Sequence, residues 1–162
     1  MQNIFILLLL AISITTYGQE CKYARNEVDQ FTKNKVLETK SEWLGENIAY
    51  TLKKIDDTKF LRIEMGSYSV FAINDGAKLM FLTDSEDPIE LTFPKYEVSK
   101  TAPGAVASQY VAQTINISGD VLTRLQTEKI IKVRFYTTDG FIDKPIKEKR
   151  ASKFREQLKC IE

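Results

Sequence analysis

Histidine is absent from the 162 residues. That removes His-based triads, the imidazole general base and the usual zinc ligand together. Glycine is scarce, at seven. No Gly-rich phosphate cradle, Gly-x-Ser-x-Gly elbow or Ser-x-x-Lys pair occurs, and a dinucleotide fingerprint has nowhere to sit. Neither sign of charge dominates: 23 basic against 22 acidic residues leave a net charge of +1, so no global field selects nucleic acid or an anionic membrane. Apolar runs are short, and none reaches the length a bilayer-spanning helix needs. Together these gaps point away from several large enzyme classes, and no cofactor, bound metal or nucleic-acid partner is expected.

The longest apolar run, Ile4 to Ile14, is followed by Thr15-Thr16-Tyr17-Gly18. This is the order of the core and cleavage regions of a signal peptide, although no Lys or Arg precedes the core. Thr16 and Gly18 suit the small-residue positions of a peptidase site, so cleavage is expected before Gln19, with residues 1–18 removed and residues 19–162 left as one domain without a transmembrane segment. The expected location is periplasmic or secreted. Two cysteines, Cys21 and Cys160, stand near the ends of that chain, and in an oxidising compartment they are expected to pair. A rival reading makes Cys21 a lipid anchor, although Glu20 directly before it is not the small residue such processing wants.

Beyond Trp43 the hydrophobic pattern has period two, the mark of half-buried strands. Ile48, Tyr50 and Leu52 alternate with Ala49, Thr51 and Lys53; Leu61, Ile63 and Met65 alternate with Arg62 and Glu64; Ile89, Leu91 and Phe93 follow the same rule up to Pro94. Leu79-Met80-Phe81-Leu82 is apolar throughout, which suits a strand covered on both sides. Asn74-Asp75-Gly76 and Thr138-Asp139-Gly140 carry hairpin-turn chemistry. Helical spacing is confined to a short stretch after Asp120, expected near an N-cap, and to Ala151, Phe154, Leu158 and Ile161 at the C-terminus. Residues 21–35 are weakly patterned and read either as a helical turn or two or as extended chain. The expected fold is α+β and mainly antiparallel: a sandwich or open barrel of about seven or eight strands closed by a C-terminal amphipathic helix.

Candidate binding residues come from two loops. One is the small-residue stretch 101–108, with Ala102, Pro103 and Gly104 at its centre; the other is the acidic cluster Asp84, Glu86 and Asp87. Two suitably placed acids are enough for glycoside cleavage, and oxygen ligands could hold calcium, but the spacing and glycine of a calcium loop are missing. Trp43, Tyr110, Tyr136 and Phe141 could form a binding face, although aromatics in strands more often belong to the core. Asn116-Ile117-Ser118 matches a glycosylation acceptor, relevant only in a eukaryotic secretory pathway.

The segment Ile130-Ile131-Lys132-Val133-Arg134-Phe135-Tyr136-Thr137-Thr138-Asp139-Gly140-Phe141-Ile142, the stretch Phe71 to Met80 and the leader ending Tyr17-Gly18-Gln19 resemble small exported proteins of unknown function from Bacteroidetes bacteria. The resemblance implies a periplasmic or cell-surface location and carries over no catalytic residue. The expectation is an exported, non-catalytic binding or interaction module whose partner is a protein or small ligand of the cell envelope. A small carboxylate-dependent hydrolase and a structural or envelope-stress protein are the alternatives.

Overall fold

The structure is a computed structural model that describes residues 21–85, 87–102 and 108–162. Along the chain run the strands β1 (Tyr23–Val28), β2 (Lys35–Thr39), β3 (Glu42–Gly45), β4 (Ile48–Ile55), β5 (Thr58–Ser67), β6 (Ala72–Ile73), β7 (Lys78–Thr83), β8 (Ile89–Thr92), β9 (Glu97–Val98), β10 (Lys100–Thr101) and β11 (Gln109–Asn116). Helix α1 (Gly119–Thr127), strands β12 (Ile130–Thr137) and β13 (Gly140–Pro145), and helix α2 (Glu148–Leu158) follow, and a 3-10 turn (Lys159–Ile161) ends the chain. The fold is α+β and mainly antiparallel, as the period-two patterning predicts. Among the described residues eight strands, β1, β2, β4, β5, β7, β11, β12 and β13, have five or more residues and match the expected number; the others are short.

The larger sheet has the order β1-β2-β4-β5-β11-β10, with β3 paired to the part of β4 that β2 leaves uncovered. The smaller one has the order β13-β12-β7-β8, and β6 pairs with β9 in a two-stranded piece. Every ladder is antiparallel. Alternation does the sorting: Ile48, Tyr50 and Leu52 on β4 and Leu61, Ile63 and Met65 on β5 are all buried, and they join Leu79, Phe81, Val133 and Phe135 from the smaller sheet in one continuous core.

The C-terminal helix closes that core as its spacing predicts. Ala151, Phe154 and Leu158, together with Ile161 beyond it, are fully buried. Phe154 meets Tyr50 of the larger sheet edge to face at 4.7 Å and stacks with Phe81 of the smaller one at 6.1 Å. Aromatic pairs in such geometry contribute about 0.5–1.5 kcal/mol beyond area burial. The Tyr50 hydroxyl donates to Gln157 Oε1 at 2.5 Å, giving a polar atom inside the core a partner. Cys21 and Cys160 form the expected disulfide, with Cα atoms 5.6 Å apart, and the Tyr23 hydroxyl donates to the Cys160 carbonyl beside it. The sulfur that a lipid anchor would use is therefore committed to the bridge.

One open choice is decided and two local expectations are refined. Residues 23–28 are a strand, so the extended reading of the N-terminal stretch holds. Asn74-Asp75-Gly76 does not join two paired strands: β6 pairs with β9, and the turn, closed by Ala77 N donating to Asn74 O with Gly76 at φ 74°, carries the chain from one sheet into another. Thr138-Asp139-Gly140, by contrast, does link the paired β12 and β13. Helix α1 is capped by Ser118, whose Oγ accepts from Val121 N, while Asp120 lies within the first turn.

Candidate functional site

The acidic loop between β7 and β8 is a structural joint. Asp84 Oδ1 accepts from the Lys129 backbone N–H at 3.0 Å, and Asp84 N donates to the Lys129 carbonyl. Beside it, Glu128 at the end of α1 accepts hydrogen bonds from Thr83 Oγ1 (2.6 Å), Ser85 Oγ (2.7 Å) and Arg124 Nε (2.5 Å). Arg124 also donates to the Asp87 carbonyl. The guanidinium and hydroxyl donors hold the Glu128 carboxyl well below the usual range, at about 2. Thus Asp84 serves backbone pairing and Asp87 enters through its main chain; Glu86 lies outside the described residues. No group of three or more acidic, histidine or cysteine side chains is disposed to hold a metal among the described residues.

The second expected loop departs from the opposite sheet. Ala102 N donates to the Ser108 carbonyl at 2.8 Å, closing its base; Pro103 and Gly104 lie outside the described residues. Ala102 flanks β10 at the edge of the larger sheet, whereas Asp84 and Asp87 follow β7 in the smaller one. The two candidate loops therefore belong to separate places in the fold.

The four-residue apolar run Leu79 to Leu82 leads to a surface the sequence pattern misjudges. Leu79 and Phe81 face the core as expected, but nothing described covers the other face: Leu82 is 41% exposed and Met80 is half-buried. These two side chains, Pro88, Lys132 and Arg134 line a shallow groove of about 180 Å³ on the outside of the smaller sheet. Its cations are held in place. Arg134 makes a fork with Asp143, Nε to Oδ1 at 2.6 Å and Nη2 to Oδ2 at 2.8 Å, and its guanidinium lies 3.9 Å above the Phe141 ring. Lys132 reaches the same carboxylate at 3.3 Å. Arg134 foremost, then Lys132, holds Asp143 down at about 2, and the Arg134 guanidinium is correspondingly raised. An apolar floor with a fixed cationic wall favours an apolar group carrying a hydrogen-bond acceptor.

The expectation that the large aromatics are core fails for all four, none of which joins the buried cluster. Trp43 is 59% exposed and Phe141 56%, while Tyr110 and Tyr136 are half-buried. Alternation shows which neighbours share a face but not which face meets water; Leu44, next to Trp43, takes the inward position. Asn116 is exposed at the end of β11 and Ser118 is engaged as the α1 cap.

No family model, curated protein or solved structure matches the chain.

Proposed function

We propose that the chain is a non-catalytic binding or interaction module that works outside the cytoplasm, in a periplasm or after secretion. The observation that carries this reading is the uncovered apolar groove of Met80, Leu82 and Pro88, which a chain of this patterning has no need to expose for folding. Two features support the location: the leader-like run of residues 4–14 and a disulfide of the kind that persists in oxidising compartments. No described helix is long and apolar enough to cross a membrane. The resemblance to small exported Bacteroidetes proteins agrees with the same reading.

A photo-crosslinking residue at position 82, expressed in the native cell, is expected to capture a discrete adduct, while the same residue at the exposed turn position 57 captures none. Equal labelling at both positions, or none at position 82, overturns the groove as a binding surface. The intact mass of the protein from that cell tests location. A chain starting at Gln19 and two hydrogens lighter than its reduced form is expected, whereas an uncleaved chain removes the export reading.

A further inference from the structure

The outer face of the larger sheet holds a second surface, unrelated to the groove. In one row across four strands, Trp43 on β3 lies opposite Ala49 on β4, Ala49 opposite Glu64 on β5, and Glu64 opposite Ala112 on β11. In the next row Gly66 lies opposite Tyr110, which lies opposite Lys100. The largest side chain of the sheet thus shares a hollow with positions cut down to Ala49 and Gly66. Trp43, Asn47, Ala49, Glu64, Gly66 and Ser108 line a shallow hollow of about 140 Å³.

Gly66 gives the hollow its significance. Glycine weakens a strand, and inside one it often marks the close approach of a ligand or another backbone. Backbone conformation does not demand it here, because Gly66 is not among the residues with positive φ. A Cβ there would stand at contact distance from the turn, 3.4 Å from Asn47 Cβ, 3.6 Å from the Asn47 carbonyl oxygen and 3.7 Å from that of Gln109. The Gly66 N–H donates to the Asn47 carbonyl at 2.7 Å, so the glycine lets the β3–β4 turn pack close against β5 and, on the same side, leaves the floor open next to an exposed indole.

The polar groups around that floor carry no uncompensated charge. The Asn47 side-chain amide makes no hydrogen bond among the described residues, and offers both donor and acceptor. Glu64 is ion-paired with Arg62, through Nε at 3.0 Å and Nη2 at 2.9 Å onto the same Oε1, so its charge is compensated. Lys100, at the far end of the second row, is paired with Glu97. An exposed aromatic face, an amide, a compensated carboxylate and the Ser108 hydroxyl suit a neutral ligand with one C–H face and a rim of hydroxyls. We propose that the Trp43 shelf is a binding site for a neutral saccharide, whose ring lies against the indole while its hydroxyls bond Asn47 and Glu64.

Trp43 is the sole tryptophan of the chain, so indole fluorescence reports on this site alone. The whole protein is titrated with maltose, cellobiose and N,N′-diacetylchitobiose. A saturable change in emission with at least one of them is expected. Gly66→Val and Ala49→Val each place a β-branched side chain, well suited to strands, on the floor while keeping the reporter; with an unchanged thermal midpoint, either is expected to weaken binding about tenfold or more. No saturable change with any of the three sugars overturns the proposal, as does a change that survives in both folded variants. Capture at position 82 is independent of these outcomes, so failure here leaves the groove reading standing.

Discussion

The two main sheets share one core but treat their outer faces differently. On the larger sheet the outward positions of the central strands are mostly charged, small or hydroxylated: Lys53 on β4, Arg62 and Glu64 on β5, Ala112 and Thr114 on β11, with half-buried Phe60 an apolar exception. On the smaller sheet the outward positions of β7 include Met80 and Leu82, and β12 answers with Lys132, Arg134 and Tyr136. The first pattern is what a half-buried sheet needs for solubility. The second places apolar surface in water beside cations fixed by Asp143, an arrangement that gives folding little and a partner much.

The contact common to both sheets should produce the largest effect. Phe154→Ala removes the ring that joins Tyr50 to Phe81 and is expected to cost about 3–5 kcal/mol by chemical denaturation. A loss under about 1 kcal/mol would mean that the sheets are held together elsewhere. The comparison itself is tested by a matched pair of truncations. Leu61→Ala, on the inner face of β5, should cost about 2–5 kcal/mol, and Leu82→Ala, on the outer face of β7, less than about 1. Equal costs would show that Leu82 is packed in solution and that the groove is closed.

The smallest effect concerns acid. Glu128 and Asp143, both attached to the smaller sheet, are held at about 2 in the folded chain, whereas unfolded carboxyls titrate near about 4. A depressed folded value means that their stabilisation is fully present above the unfolded value and is lost as pH falls from about 4 toward 2. Glu128→Gln with Asp143→Asn should flatten the decline of the thermal midpoint across that interval. An unchanged slope would assign acid sensitivity to other carboxylates.

Much of the fold is legible in the residues themselves. Period two on β4 and β5 identifies their buried faces because each strand has one wet side, and the spacing of Ala151, Phe154 and Leu158 identifies the face of α2 that seals the core. The surfaces are harder to read. A run such as Leu79 to Leu82 looks the same whether its second face meets a protein layer or water, and Trp43 beside Leu44 shows alternation without its sign. The Asn74-Asp75-Gly76 turn has hairpin chemistry, yet pairing of β6 with β9 depends on residues more than twenty positions away. Asp84 reads in the sequence as a candidate binding-loop residue because its partner, the Lys129 backbone, is 45 positions distant.

The Cys21–Cys160 bond makes the stretch between those residues a covalent ring. A pull applied to the chain outside residues 21 and 160 passes through the two sulfurs and leaves both sheets unloaded. A single cut in any loop inside the ring opens it without releasing a fragment. The fold is thereby insulated from tension at its ends, and one proteolytic nick leaves its two parts joined until a reductant separates them.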